Sequence, residues 1–306
     1  MILQKTIRRS VQVTGVGLHT GEPCRVTFRP ALPGTGVVFT RRHPKREGEW
    51  QSVPADVQYV VDTRLATTLG KEEFRISTVE HCLCAMSSLR LDNVVIELEG
   101  PELPIQDGSS SFFAKALQEV GLIEQSALRR YWTVFQPIEV RHGDKWARVL
   151  PYHGLRVHIQ LEFPHPAIGR QSFESDINEE VFLKDIAPAR TFGFLKDIEY
   201  LRAQGLARGG SLSNAIVLDD DKVVNPEGLR WPNEFARHKA LDALGDLTLL
   251  GAPLLGHLES FKAGHDLMVQ LVKQIRQSPE ACRLQEVGYD LSERRLSALS
   301  FWSSSR

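Results

Sequence analysis

Cysteine is scarce in this sequence. Four stand among 306 residues, at Cys24, Cys82, Cys84 and Cys282, which is too sparse for the disulfide framework of a small secreted fold. A reduced, cytoplasmic protein is the expectation. Cys82 and Cys84 lie two apart in a helical pattern and so do not share a face. They read as buried thiols rather than as half of a metal site. Long apolar runs are missing as well. The longest, Leu247 to Leu258, is broken by two glycines and Pro253, and a spanning helix needs about 20 apolar residues. No apolar stretch follows MILQKTIRRS, so neither a signal peptide nor stable membrane insertion is expected. Neither sign of charge dominates: 37 Lys and Arg stand against 38 Asp and Glu, for a net charge of -1. A general nucleic-acid binder is clearly basic, so that class is set aside. A local basic patch around an anionic substrate stays open. Disorder is excluded by a 42% hydrophobic and 25% charged composition, which is ample for a core.

What is present reads as strands and helices in two similar series, and the length suits about two domains. In the first half VQVTGVGLHTG, CRVTFRP and GVVFT are strands separated by Gly and Pro turns. RRHPKREGEW is a charged loop, and DTRLATTL reads as a further strand. STVEHCLCAMSSLRL places Val79, Leu83 and Met86 on one helical stripe, with Ser77 or Thr78 as cap. DNVVIELEG alternates as a strand. SSSFFAKALQEVGL is a second helix with Phe112, Phe113, Leu117 and Val120 on its apolar side.

From about Tyr131 the order repeats. TVFQPIEVRHG, KWARVLPY and LRVHIQLEF are strands. PARTFGFL and IEYLRAQGL lead through a helix into the strand of SNAIVLDDDKVV. EFARHKALDALGDLTLLG is a long helix, and HLESFKAGHDLMVQLVKQI is a polar loop followed by another. His81 and Asp107 in one half are spaced much as His238 and His265 are in the other. A duplicated α+β unit predicts this, with the two helix pairs facing each other across an interdomain cleft, where sites are usually found.

Several clusters carry chemistry. His238 and Asp242 are i and i+4 on one helical face, where an imidazole nitrogen and a carboxylate oxygen can share a zinc ion. Asp246 continues that face by one turn. A solvated face with weak pairing is the alternative. Glu80 and His81 are adjacent and diverge on a helix, so one can bind a metal while the other approaches its water. The alternative is a Glu favouring the helix dipole beside a part-buried His. His265 follows Gly264 at a helix start and suits either proton donation and oxyanion balance or a cap. Thr191, within ARTFGF, suits either an oxyanion donor or a turn beside core phenylalanines. Gly15, Gly17 and Gly21 lack the strand-to-helix setting of a dinucleotide fingerprint and predict a hairpin instead.

The runs GVGLHTG, RISTVEH, DNVVIELEGPELPIQDGSS, ARTFGF, GGSLSNAIV, NPEGLRWPNEFARHKALDALGDL and GHLESFKAGH, in this order over essentially the whole chain, resemble the UDP-3-O-acyl-N-acetylglucosamine deacetylase family. These are zinc amidases of lipid A biosynthesis in Gram-negative bacteria. The resemblance implies two related α+β domains, 1–128 with a small β insert and 129–306 with a βαβ insert, and an active site in the cleft between them. It implies His81, His238 and Asp242 as zinc ligands, with ferrous iron suiting the same donors. Glu80 matches the general base, His265 the positively charged partner of the transition state, Asp246 the carboxylate that holds it, and Thr191 the oxyanion donor. Lys239, Lys262, Phe192 and His19 match substrate contacts. Leu201, Gly210, Ser211, Ala215 and Val217 fall in the segment that matches the acyl passage. The implied partner is a UDP-linked acylated amino sugar, bound by a cytoplasmic monomer. A thioester dehydratase or isomerase would look similar without needing zinc, and a binding protein that kept only the groove would be expected to have lost one of these polar residues.

Overall fold

The computed structural model describes residues 2–43, 46–290 and 295–298. The first half opens with strands β1 (Leu3–Ile7), β2 (Val11–Val16), β3 (Pro23–Pro30), β4 (Val37–Arg42) and β5 (Trp50–Pro54). A three-stranded sheet follows, of β6 (Val60–Asp62), β7 (Thr68–Lys71) and β8 (Phe74–Ile76). Then come α1 (Glu80–Ser88), β9 (Val94–Glu99), α2 (Ser111–Val120) and β10 (Leu122–Leu128). The second half contains β11 (Arg130–Val134), β12 (Ile138–His142), β13 (Lys145–Leu150), β14 (Leu155–Phe163) and β15 (Gly169–Asp176). After the short α3 (Glu179–Val181) come β16 (Phe192–Phe194), α4 (Leu195–Ala203) and β17 (Ile216–Leu218). The half closes with α5 (Glu234–Leu247), β18 (Leu254–Phe261), α6 (His265–Gln277) and β19 (Cys282–Asp290).

The duplication expected from spacing is visible as topology. In the first half the sheet order is β2-β3-β9-β4-β5, antiparallel except for the parallel pair β4–β9. In the second half β12, β13, β18, β14 and β15 lie in the same order, again antiparallel except for the parallel pair β14–β18. Each half also has a side ribbon, β1 with β10 and β11 with β19, both antiparallel. An insert enters each half at the same point, between the fifth strand and the first helix. In the second half β16 and β17 pair in parallel across α4, a βαβ unit.

Alternation places one face of each sheet inward. Cys24, Val26 and Phe28 of β3 are buried while Arg25 is exposed, and Val157, Ile159 and Leu161 of β14 are buried. On α6, Met268, Leu271, Val272 and Ile275 form a stripe at the helical period. In the first half α2 lies against β2 and α1 packs on α2; in the second α5 lies against β14 and β15 and α6 against β12 and β13; α1 meets α5 directly. That contact buries every residue of α1 from Glu80 to Met86, including Cys82 and Cys84 as expected.

Some expectations fail in instructive ways. DTRLATTL is not one strand: it spans the end of β6, a bend with Leu65 at φ 62°, and the start of β7. Phe112 is 48% exposed, because Phe113, Leu117 and Val120 define the buried face of α2 and Phe112 lies off it. Neither Ser77 nor Thr78 caps α1. Val79 occupies that position, and Thr78, at φ 59°, turns its hydroxyl to Glu102. TVFQPIEVRHG is two strands, parted at Pro137, which has no N–H for a ladder. HLESF is not a polar loop. It belongs to β18, the strand between β13 and β14, with Leu258 and Ser260 inward and His257 and Glu259 on the other face. The helix pairs do not face each other across an open gap, because α1 and α5 touch.

Candidate active site

The crossing of α1 and α5 concentrates titratable side chains. A Cβ placed on Gly245 would meet the carbonyl oxygen of Glu80 at 2.2 Å. Only glycine lets the helices approach this closely, and the approach brings Glu80 and His81 of α1 beside His238, Asp242 and Asp246 of α5. Behind α1, the Ser110 hydroxyl donates to the His81 carbonyl at 2.6 Å. His265, the first residue of α6, completes the group. All six side chains are buried.

His81 Nε2 lies 3.7 Å, and His238 Nε2 3.4 Å, from the same oxygen, Asp242 Oδ1. One potential ligand atom from each of the three residues falls within 4.8 Å of the others. His238 Nδ1 lies 3.1 Å from the carbonyl oxygen of Ala189. Nδ1 therefore carries the proton, and Nε2 presents a lone pair. Burial lowers the pKa of both histidines, that of His81 to about 3 with His238 adding to the effect. Burial works against ionised Asp242, but the positive charges of Lys239 and His265 oppose it, and the carboxyl is held below its ordinary range. A neutral imidazole lone pair thus faces a carboxylate oxygen that is buried and has no hydrogen-bond partner among the described residues. Two acceptors so placed repel unless a cation lies between them. Two nitrogens and one oxygen, with no fourth protein ligand among the described residues, suit a catalytic zinc site.

Beside the triad, His265 Nδ1 bonds Asp246 Oδ2 at 2.8 Å. Its Nε2 faces Glu80 Oε1 at 3.8 Å and Asp242 Oδ2 at 4.0 Å. Burial alone would lower the His265 pKa, but Asp246 and Glu80 outweigh it and raise it to about 9. Burial drives Glu80 the other way from an ordinary carboxyl, up to about 7, against the opposing pull of His265. The site thus pairs a base that is ionised above neutrality with an imidazolium.

Other expected residues are dispersed around this centre. Lys239 Nζ bonds Asp242 Oδ2 at 2.9 Å and lies 5.7 Å from the Phe192 ring centre, so it is held at the centre rather than extended. The Phe192 ring packs edge-on to Phe235 and approaches His238. Thr191 follows the Ala189 carbonyl that orients His238, and its backbone is fixed by Gly108 and Ile216. Lys262 is outside the cluster, paired with Asp144 and Glu162 at 2.9 and 3.2 Å.

His19 is buried, and its Nε2 has no hydrogen-bond partner among the described residues. Its loop rests on Glu102, which accepts from the backbones of His19 and Thr20 and from both threonine hydroxyls, Thr20 and Thr78. A Cβ at Gly17 would strike Glu102 Oε2 at 2.3 Å. The glycines thus serve a hairpin between β2 and β3, as expected, and Gly17 makes room for a carboxylate. The N–H groups of Arg208 and Gly209 donate to the carbonyls of His19 and Leu18, so this loop meets the second insert. That insert carries Leu201 on α4, Gly210, Ser211 and Ala215 in the loop after it, and Val217 on β17.

Four site residues escaped the sequence reading. Thr67 donates its backbone N–H to Glu80 Oε2 and its hydroxyl to Asp246 Oδ1. Glu102 holds the His19 loop. Glu234 anchors Arg190 through N, Nε and Nη2, in a buried pair, while Nη2 also bonds the Gly228 carbonyl and Nη1 bonds Glu227, which fixes the loop carrying Ala189 and Thr191. Gly245 had a signal, since glycine inside a helix costs about 1 kcal/mol and asks for a packing reason. A threonine in a turn and a glutamate after a strand had none.

The sequence profile of the family described as UDP-3-O-acyl N-acetylglycosamine deacetylase matches residues 4–277. A protein of Bdellovibrio bacteriovorus named UDP-3-O-acyl-N-acetylglucosamine deacetylase is 51% identical over 293 residues, 96% of each chain. Proteins of the same name from Myxococcus xanthus and Histophilus somni are 46% and 45% identical. Their matches cover 90% and 92% of this chain and 87% and 92% of their own.

Proposed function

The chain belongs to the UDP-3-O-acyl N-acetylglycosamine deacetylase family, and from that membership we propose that it hydrolyses the N-acetyl group of UDP-3-O-(3-hydroxyacyl)-N-acetylglucosamine. The products are acetate and the free 2-amino sugar nucleotide, which keeps its 3-O-acyl chain, as a step of lipid A biosynthesis. The observation that carries the reading is the convergence of two neutral histidines on the unpartnered Oδ1 of Asp242. His81, His238 and Asp242 would hold one zinc ion, and ferrous iron suits the same donors. When bound there, the metal supplies Lewis acidity to the attacking water and the amide carbonyl.

The protein's own groups do the rest. Glu80, ionised above about pH 7, takes the proton of the attacking water. The His265 imidazolium, held through Nδ1 by Asp246, keeps positive charge opposite the ligands where the oxyanion develops, and the Thr191 hydroxyl is its neutral donor. On collapse the amine takes a proton from Glu80 or from His265 Nε2. His19, Phe192, Lys239 and Lys262 are assigned to the sugar nucleotide. Lys262 reaches it by exchanging its exposed partners Asp144 and Glu162. Leu201, Gly210, Ser211, Ala215 and Val217 are assigned to the acyl chain, whose burial contributes about 0.8 kcal/mol per CH₂.

Domains 1–128 and 129–306 are supported by the repeated topology, which starts again after β10, and the substrate is assigned to the junction between them. A monomer in the cytoplasm fits four free, buried cysteines. Among the described residues no helix is long and apolar enough to cross a membrane.

The test is acetate release from the acylated UDP sugar by purified protein, alongside metal analysis of wild type and His238→Ala. About one zinc or iron per wild-type chain, lost together with acetate release in the variant, is expected. Metal-free wild-type protein that still releases acetate at full rate would refute the assignment.

A further inference from the structure

Thr67 is fully buried in the bend before β7, in the insert of the first half. Its backbone brackets the start of α1: its N–H donates to Glu80 Oε2 at 3.0 Å, and its carbonyl accepts from Val79 N–H. Its hydroxyl points to the other half, 2.6 Å from Asp246 Oδ1 and 3.2 Å from His265 Nδ1. A hydroxyl has one proton to give. Asp246 Oδ1 is the acceptor at shorter range, and Oδ2 already accepts from His265 Nδ1. Both carboxylate oxygens are therefore engaged in defined directions, which fixes the His265 ring and leaves Nε2 toward Glu80. On the Glu80 side, the Thr67 N–H occupies Oε2 and leaves Oε1 as the oxygen that faces His265 Nε2.

We propose that Thr67 is a positioning residue that sets Glu80 and His265 in register with each other, one through its amide and the other through Asp246. The inference rests on the deacetylase reading. It assigns to the insert of the first half a part in aligning a carboxylate from α5 and an imidazole from α6. The hydroxyl carries the link across the halves, because the amide contact stays within the first.

The experiment compares Thr67→Val, which keeps the shape and loses the hydroxyl, with Thr67→Ser, which keeps the hydroxyl. kcat and KM for the acylated UDP sugar, bound metal and Tm are measured for each. For Thr67→Val the expectation is a kcat lower by roughly 10- to 100-fold, the range for outer-shell hydrogen-bond partners, with KM and metal content unchanged. Thr67→Ser should stay near wild type.

A second arm places Thr67→Val in an Asp246→Asn background. If Thr67 acts through Asp246, the double variant loses far less than the product of the two single losses. Wild-type kcat in a metal-replete Thr67→Val protein, a Thr67→Ser loss as large as that of Thr67→Val, or fully multiplicative losses in the double variant would each overturn the proposal. A wild-type protein that releases no acetate would instead refute the deacetylase reading, so the two failures are distinct.

Discussion

At the scale of single residues, two ionisable groups of opposite task bound a window that lies above neutrality. Glu80 must be ionised to accept a proton, and its pKa is raised to about 7 by burial. Activity therefore falls as pH drops through about 7. His265 must be protonated to keep its charge. Burial works against that charge, but Asp246 and Glu80 prevail and raise the pKa to about 9. Activity therefore falls again as pH rises through about 9. The expected kcat/KM profile, which reports groups of the free protein, is a bell with its plateau near pH 8, each limb being a macroscopic value of coupled groups. Asp246→Asn removes the negative charge bonded directly to His265, so its alkaline limb should move to lower pH and its kcat should drop. A pH–rate series on the metal-loaded variant checks this, and an unmoved limb would separate His265 from that limb. Glu80→Gln preserves shape and cannot take a proton. It should keep its metal and lose about 10²- to 10⁴-fold in kcat, read by metal analysis and single-turnover acetate release.

At the scale of elements, the crossing at Gly245 sets how closely the candidate ligand His81 of α1 can approach His238 and Asp242 of α5. Gly245→Ala weighs two effects against each other. Replacing glycine in a helix interior gains about 1 kcal/mol of propensity. The added methyl, however, meets the backbone of Glu80 at 2.2 Å, and relieving backbone overpacking costs about 1–3 kcal/mol. The clash wins because backbone has no rotamer to yield. The variant should melt at lower temperature and bind zinc more weakly, by calorimetry and metal titration. An equal or higher Tm with unchanged metal affinity would mean that the helices separate without disturbing the site.

What the sequence made legible at this scale follows from period and spacing. The helices carrying His81, His238 and His265 could be read, as could the same-face pair His238 and Asp242. Strands such as β3 and β14 announced themselves by alternation. The strand β18 did not, because its inward Leu258 and Ser260 alternate with His257 and Glu259, and Ser260 hides the apolar rhythm. The direct contact of α1 with α5 was hidden for another reason. It depends on the absence of a side chain at Gly245, and periodicity does not register an absence. Thr67 is a similar case, since a backbone amide aimed at Glu80 leaves no mark in residue type.

At the scale of the whole molecule, the candidate ligands come from both halves: His81 from the first, His238 and Asp242 from the second. Binding to the native state alone stabilises by mass action, about 2.7 kcal/mol at a free metal concentration 100 times Kd. Because the metal would join α1 to α5, this stabilisation should reach both sheets. Calorimetry of metal-loaded and chelator-treated protein should show one cooperative transition that moves up with metal, by several degrees. A second transition that ignores the metal would show that one half melts independently of the shared site.

The paired strands at the margins of each half have a mechanical consequence. In the first half Leu3 lies opposite Leu128, and in the second Arg130 lies opposite Glu286. A tensile load applied to Leu3 and Glu286 and carried through Arg129 would pull each ribbon open from the end at which its two strands enter and leave. Its hydrogen bonds would then be loaded one after another, as in a zipper, rather than together in shear. The ribbons β1–β10 and β11–β19 are therefore the parts that should yield first under traction, at low force. Of the two, β11–β19 should part second, because β11 is also held on its other edge by β18.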